Sequence, residues 1–137
     1  MKSEFYIKTE VEVRFKDVDM MGHVNNANYL TYFEQGRVAY FRQLFEKQET
    51  QKDLFPFVVA EITIRFVSPA FFDETLVVGV RTAEMGTKSF RMEYEIKEKK
   101  SKRLVATGHS VQVMYDYQTK ATFPIPESLK EKIRNLF

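Results

Sequence analysis

The feature that most constrains the fold is one long helical segment flanked on both sides by strand-like sequence. From Ala27 to Phe45, large apolar side chains recur every three or four residues, which is the spacing of an α-helical face. Apolar positions cover more than half of the circumference: Tyr29, Leu30, Tyr32, Phe33, Val38, Ala39, Tyr40 and Phe41. A single flat contact would leave much of this surface wet, so the rest of the chain must wrap around the helix.

Strand-like alternation of apolar and polar residues occurs once before this helix and four times after it. Residues 5–15 form the first such segment, and turn residues separate the later ones, which are 58–67, 74–85, 88–99 and 103–117. Residues 46–56 form a polar connector that includes a short helical turn, and residues 126–137 form a short amphipathic helix. The element order is that of a single α+β domain, residues 1–137, in which about five antiparallel strands can wrap one central helix, but periodicity alone does not fix this topology.

Composition excludes several classes of site. The chain has no cysteine, so disulfides, thiolate nucleophiles and cysteine-based zinc sites are excluded. Its two histidines, His23 and His109, are far apart and show no metal-ligand spacing, so we predict no metal. His109 lies inside the last predicted strand and is interpreted as a packed strand residue.

Charge and hydropathy limit the cellular locations and the classes of partner expected for this chain. The net charge is only +2, with 19 acidic residues interspersed among 21 basic ones, which is not a nucleic-acid-binding pattern. No apolar run approaches the roughly 18 residues of a membrane span, and no signal-peptide core is present. We therefore predict a cytoplasmic protein with neither a membrane nor a nucleic-acid partner.

The segment most informative about function connects the first strand to the helix, residues 14–37, RFKDVDMMGHVNNANYLTYFEQGR. It resembles the 4-hydroxybenzoyl-CoA thioesterase family, whose D-x-D-x-x-G-H-V-N-N-x-x-Y and Y-F-E-x-x-R patterns are met here between Asp17 and Arg37. More loosely, the resemblance extends over almost the whole chain and includes a G-x-x-S-F hairpin at Gly86, Ser89 and Phe90. It implies a hotdog fold, in which a curved sheet wraps a central helix, and hydrolysis of an acyl-coenzyme A without a further cofactor.

The resemblance implies that Asp19 is the catalytic carboxylate, either as a nucleophile on the thioester or as a general base on water. By position, the backbone N–H of Asn26 corresponds to the oxyanion donor of the family. A carboxylate just before a helix N-terminus is stabilised by the helix dipole, and exposed N–H groups there can face a thioester oxygen. Asp17 is interpreted as a residue that shapes the loop, and Gly22 as one whose backbone shapes the site.

Four other residues of this segment each allow two interpretations. His23 takes part in catalysis or bonds the loop or an interface, since acyl-carrier-protein thioesterases of plants carry a similar Asp and His but have Asn where Met21 stands here. Asn25 caps the helix or binds substrate. Tyr29 lines an acyl pocket or is simply core. Glu34 pairs with Arg37, three residues on, or supplies a helical carboxylate for catalysis.

Coenzyme A requires cationic groups for its phosphates, and the resembled hairpin suggests Lys88 and Ser89, although a hairpin lysine is often merely solvated. A curved sheet leaves an edge that favours strand pairing, so we expect a homodimer or homotetramer with the site between subunits. The alternatives are a non-catalytic acyl-CoA-binding or regulatory module, and a hydrolase of acyl-carrier-protein thioesters. A hotdog dehydratase or hydratase is disfavoured because its signature is absent.

Overall fold

A computed structural model describes residue 5, residues 7–45 and residues 56–136 of the chain. The elements, in order, are β1 (Ile7–Glu12), a 3-10 turn (Phe15–Asp17), α1 (Asn28–Leu44), β2 (Phe57–Phe66), β3 (Thr75–Met85), β4 (Ser89–Glu98), β5 (Leu104–Asp116), β6 (Ala121–Thr122) and α2 (Glu127–Arg134). The predicted helical turn of the connector, residues 46–55, lies outside the described residues.

The strands form one antiparallel sheet in the order β1-β3-β4-β5-β2, and the short strand β6 pairs with the end of β5. Burial alternates without a break along β4, as expected of a strand with one face on the core. The predicted α+β fold is therefore confirmed, with a sixth strand added. His109 lies within β5, between Thr63 and Glu93 on the neighbouring strands, as predicted.

Helix α1 packs along the concave face of the sheet. Its buried residues are Tyr29, Tyr32, Phe33, Gly36, Arg37, Tyr40, Phe41 and Leu44, and together they cover about half of the helix surface. The stacked rings of Phe33 and Tyr94, 4.3 Å apart, join the helix to β4. The rest of the chain covers less of the helix surface than the sequence predicts, because the side chain of Leu30 remains 42% exposed.

The helix lies very close to β3 at Gly36. A Cβ atom added there would lie 2.6 Å from a methyl group of Val80 and 2.9 Å from one of Val78. Valine side chains are stiff and cannot move aside easily, so glycine is required for this helix to sit so close to the sheet. Among the helices in the described ranges, none is long and apolar enough to cross a membrane.

We expect Gly36→Ala to destabilise the fold even though alanine favours helices. Overpacking of a tight core costs about 1–3 kcal/mol, against a helix-propensity gain of about 1 kcal/mol, so the free energy of unfolding should fall by up to about 2 kcal/mol. Urea denaturation measures this change. Gln35→Ala, at the exposed neighbouring position, should stay within about 0.5 kcal/mol of the wild type; a Gly36→Ala variant as stable as Gln35→Ala would contradict the close contact.

Candidate active site

The loop between β1 and α1 is organised around Asp17, which is 1% exposed. Its carboxylate accepts hydrogen bonds from the Arg14 side chain at 3.0 Å and from the Tyr32 hydroxyl at 2.8 Å. Its carbonyl oxygen accepts from the N–H of Asn25 and from the side chain of Asn28, each at 2.9 Å. Asp17 thus ties the loop to the first turns of α1, which is the loop-shaping role predicted for it.

The electrostatics of this cluster keep Asp17 ionised. Burial alone acts to raise the pKa of Asp17, but the hydrogen bonds from Arg14 and Tyr32 outweigh it and hold the pKa below its ordinary value. Burial, together with the same contact to Asp17, raises the pKa of Tyr32. Since the folded-state pKa of Asp17 is depressed, its contribution to stability is present above pH of about 4 and is lost as the pH falls through the folded-state value.

Asp19 lies two residues further on and is only half-buried. One carboxylate oxygen accepts from the N–H of Met21 at 2.9 Å and the other from the Asn25 side chain at 3.2 Å. The N–H of Asp19 bonds to the carbonyl of His23, and Gly22 closes the turn with a φ of +89°, a conformation that favours glycine. Each carboxylate oxygen retains the capacity for a further hydrogen bond, so Asp19 is oriented yet available.

Asn25 does not cap α1 as expected. The N-cap residue is Ala27, and it makes no side-chain capping bond. Asn25 instead accepts from the N–H of Ala27 at 2.9 Å while its amide donates to Asp19. Asn28, which opens the helix, is engaged with the carbonyl of Asp17. The asparagines therefore connect the two aspartates to the helix start.

A groove of about 270 Å³ lies beside this loop, lined by His23, Val24, Asn26, Tyr29, Phe66, Val67, Ser68 and Pro69. The backbone N–H of Asn26 forms no hydrogen bond within the part of the chain that the structure describes. This N–H lies near the positive end of the helix dipole and keeps the capacity to donate a hydrogen bond. Asp19 is not among the lining residues but is bonded to His23, which is.

His23 and Tyr29 are placed differently in this groove. Nδ1 of His23 lies 3.3 Å from the carbonyl of Val24, and a proton on Nδ1 would leave Nε2 as an acceptor. Tyr29 is 2% exposed and its ring meets that of Phe66 edge-on at 5.2 Å. Burial raises the pKa of Tyr29. Tyr29 is therefore a core residue that also lines the groove, and its contact with an acyl group stays a prediction.

Lys88 and Ser89 are far from Asp19 in the same chain. Both lie near the β3–β4 hairpin, at the end of the sheet where β2 begins at Phe57. The Asp19 loop leads into the first turn of α1, which packs on Phe66 at the other end of β2. Ten residues of strand separate these ends by about 30 Å. One chain alone does not bring the two sets of residues together.

A larger cavity of about 550 Å³ lies at this distal end of the sheet, between the end of α1, the start of β2, the end of β5 and α2. Its walls include Phe45, Pro56, Tyr115, Phe123 and Leu129. The predicted motif gives no sign of this cavity, because its residues come from the irregular ends of four elements. The cavity is larger than the groove beside Asp19, but it lies at the opposite end of the sheet from the loop that carries Asp19.

The predicted pair of Glu34 and Arg37 does not form. Arg37 is 9% exposed and donates to the hydroxyl of Tyr94 at 3.1 Å, whereas Glu34 is exposed. Tyr94 in turn bonds to Ser110, which bonds to Gln112. A spacing of three places two residues on one helix face, but the long Arg37 side chain turns inward to this polar network.

These features define a class of protein. It is an α+β chain in which a curved antiparallel sheet wraps one helix, with a half-buried carboxylate just before the helix and, at the helix start, a backbone N–H that has no partner among the described residues. Residues 13–133 match the model of the thioesterase-like superfamily. The chain belongs to that superfamily, and the prediction of a hotdog-fold member is confirmed.

Named relatives show how far this similarity extends. A Thermus thermophilus thioesterase, solved in complex with coenzyme A and Zn, is 34% identical with a TM-score of 0.86, over 96% of this chain and 94% of the other. The long-chain acyl-CoA thioesterase FadM of Escherichia coli K12 is 25% identical over 130 residues, which are 95% of this chain and 98% of FadM. The putative acyl-CoA thioesterase YneP of Bacillus subtilis (strain 168) is 39% identical over 74 residues, 52% of either chain.

The extent of these matches is uneven. In two Bacillus subtilis relatives, one of them YneP, the chain spans 62% and 52% of the relative's length. As to the Zn of the Thermus protein, the described residues here contain no group of three or more His, Cys, Asp or Glu side chains that could hold a metal ion. The prediction of no metal stays a prediction.

Tyr32→Phe tests whether Asp17 organises the site. Loss of the hydroxyl leaves a buried carboxylate short of one partner, so we expect the free energy of unfolding at pH 7 to fall by about 1–3 kcal/mol. The difference should shrink below pH of about 4, as Asp17 becomes protonated in both proteins. Denaturation at several pH values measures it. Tyr117→Phe removes a hydroxyl that bonds only to a carbonyl and should show no such pH dependence; equal pH dependence in both variants would refute the role of Asp17.

Proposed function

We propose that this chain is an acyl-CoA thioesterase that hydrolyses an acyl-coenzyme A to the free acid and coenzyme A. The observation that carries the proposal is the Asp19 loop, where a carboxylate oriented by Met21 and Asn25 lies beside a groove that Asn26 lines, and the N–H of Asn26 has no partner among the described residues. The names of FadM and YneP, and the coenzyme A bound by the Thermus thermophilus thioesterase, support it.

Two reaction routes use Asp19, and neither requires a cofactor to balance its atoms and charges. In the first, an oxygen of Asp19 attacks the thioester carbon, the carbon–sulfur bond breaks, and water then hydrolyses the mixed anhydride. In the second, Asp19 takes a proton from water, the resulting hydroxide attacks the same carbon, and the proton passes to the leaving thiolate. In either route, negative charge develops on the carbonyl oxygen, and the N–H of Asn26 is the proposed donor to it.

The other residues of the loop have supporting roles in this proposal. Gly22 and Asn25 hold the carboxylate in one orientation, and Tyr29 forms the floor against which the acyl group packs. His23, through Nε2, would bind the attacking water or the thioester. The groove of about 270 Å³ falls below the range of roughly 300–1,000 Å³ usual for small-molecule sites, so a coenzyme A thioester needs further walls.

A second copy of the chain would supply those walls. Lys88 and Ser89 of one copy are then the proposed contacts for the phosphates and the pantetheine arm of a substrate whose thioester lies at Asp19 of the other. A homodimer is the minimum assembly for such a site, and a tetramer is a pair of such dimers. A cytoplasmic location and the absence of nucleic-acid partners stay predictions.

Asp19→Asn should abolish most of the activity. The change keeps the size of the side chain but removes both the nucleophile and the base, so we expect kcat to fall at least about 100-fold. The measurement is thiol release from short, medium, long and aromatic acyl-CoAs, with folding checked by circular dichroism. Glu84→Gln, which neutralises an exposed carboxylate near the distal end of the sheet, should retain full activity.

Other outcomes of this assay have clear meanings. A folded wild type that releases no thiol from any acyl-CoA, but does so from acyl-carrier-protein thioesters, identifies a different carrier; release from neither favours a binding or regulatory module. Full activity in Asp19→Asn would refute the catalytic assignment. Repeated turnover in ¹⁸O-labelled water, followed by mass spectrometry of the peptide that contains Asp19, separates the two routes, because only the nucleophilic route can transfer ¹⁸O to that carboxylate.

Lys88→Ala tests the contact with coenzyme A. Loss of one charge-assisted contact to phosphate is expected to raise KM for an acyl-CoA about 3- to 30-fold with kcat little changed. The same acyl group on N-acetylcysteamine, which lacks the phosphates, should show no change in KM. Lys100→Ala, on the exposed β4–β5 turn, is the matched control; an equal rise in KM with both thioesters would contradict a phosphate contact.

A further inference from the structure

Arg103 holds the connection between β2 and β3 at three points. It precedes β5, and its Nε donates to the hydroxyl of Ser68 at 3.3 Å. One of its terminal nitrogens donates to the carbonyl of Pro69 at 3.0 Å and to the carboxylate oxygens of Glu74 at 2.9 and 3.2 Å. A guanidinium group makes these bonds at once because its donors are fixed in a planar fork, a geometry that the single ammonium of a lysine does not match.

Residues 67–70, which we call the groove wall, follow β2 directly. Three of them line the groove beside Asp19, namely Val67, Ser68 and Pro69. The fourth, Ala70, is fully buried, and its carbonyl accepts from the N–H of Val24 at 2.8 Å. Because Val24 belongs to the loop that carries Asp19, the groove wall is bonded both to that loop and to Arg103.

Few other interactions fix the middle of the groove wall. Its first two N–H groups both bond to the carbonyl of Val105, but Pro69 has no N–H to donate. The two phenylalanines that follow the wall are 44% and 53% exposed, so their burial contributes little to holding it. The position of Pro69 therefore depends on the hydrogen bonds that Arg103 and Val24 donate to the wall.

The ion pair between Arg103 and Glu74 strengthens this restraint. Their side chains are 34% and 22% exposed, so solvent screens the pair less than it screens a fully exposed one. Glu74 also accepts from the N–H of Phe71 at 2.9 Å, and the guanidinium carbon lies 5.9 Å from the centre of the Phe71 ring. One cation thus connects the start of β5, the groove wall and the turn before β3.

A different set of bonds orients the proposed catalytic carboxylate. Asp19 accepts from the N–H of Met21 and from the side chain of Asn25, and neither contact involves Arg103. The buried Asp17 that organises the same loop is held by its own arginine, not by Arg103. A change at Arg103 should therefore alter the shape of the groove rather than the orientation of Asp19.

We propose that Arg103 is a positioning residue that sets the width of the groove, and with it the acyl groups that the site accepts. The inference rests on the proposed function, because it places the acyl group against the groove wall and Tyr29. The groove has only about 270 Å³, so straight or planar acyl groups fit it better than branched ones. Without the bonds from Arg103, Pro69 can move away from Tyr29, the groove widens and this discrimination weakens.

Arg103→Met tests the proposal through ligand selectivity. The ligands are 2-oxoalkyl thioethers of coenzyme A, which cannot be hydrolysed, in a straight and a branched form with the same number of carbons. Isothermal titration calorimetry measures the two Kd values, with folding checked by circular dichroism. We expect the wild type to prefer the straight ligand and Arg103→Met to lose at least about 10-fold of this preference, since pockets discriminate by about 10- to 200-fold per methylene.

Two further variants separate positioning from stability. Arg81→Met removes another ion-paired arginine, on β3 and outside the groove lining, and should keep the wild-type preference even if it is equally destabilised. Arg103→Lys keeps a charge near Glu74 but loses the fork, so its preference should match that of Arg103→Met. Wild-type preference in either variant of Arg103, or a wild type that does not prefer the straight ligand, would overturn the proposal.

Hydrogen–deuterium exchange measures the groove wall directly. The N–H of Ser68, bonded to Val105, should exchange at least about 10-fold faster in Arg103→Met and at the wild-type rate in Arg81→Met; unchanged exchange in Arg103→Met would contradict the restraint. Neither measurement requires turnover, so the two proposals fail separately. A wild type that discriminates between the ligands but releases no thiol refutes only the hydrolysis, and an active chain whose preference survives Arg103→Met refutes only the role of Arg103.

Discussion

The structure depends on the burial of α1 against the curved sheet. The close approach at Gly36 and the stacked rings of Phe33 and Tyr94 fix how the helix lies along β3 and β4. Once the helix is fixed, its N-terminus has one position relative to the end of the sheet. The loop that follows β1 must then close a set gap, and the groove beside Asp19 takes its shape from that loop. The packing of the core therefore determines the geometry of the site.

The two aspartates of the D-x-D sequence show how environment divides roles between identical groups. Asp17 is buried and bonded to a cation, to a hydroxyl and, through its carbonyl, to two asparagines, so it has little capacity left for chemistry. Asp19, two residues away, is half-buried, and each of its oxygens accepts one hydrogen bond from the described part of the chain. The first carboxylate stabilises the loop that presents the second, which is a division often set by solvation and hydrogen bonding.

The sequence predicted the fold closely because each element has a strong period. The helix was expected over 27–45 and lies at Asn28–Leu44, and all five predicted strands are present. Strand β6 was missed because two residues cannot show a period. The long-range partners were also out of reach: no spacing rule links Asp17 to Tyr32 or turns Arg37 away from Glu34 toward Tyr94. The motif located Asp19, but the distance to Lys88 and Ser89 depends on sheet register.

The features that bear on the proposed site lie along strand β2. A small groove beside Asp19 borders the end of β2, and the buried Arg37 lies level with its middle. The larger cavity and the candidate coenzyme A contacts lie at its beginning, near Pro56. The residues proposed to hold the two ends of the substrate thus lie at opposite ends of one strand, about 30 Å apart, and for that reason the proposed function requires a second copy of the chain.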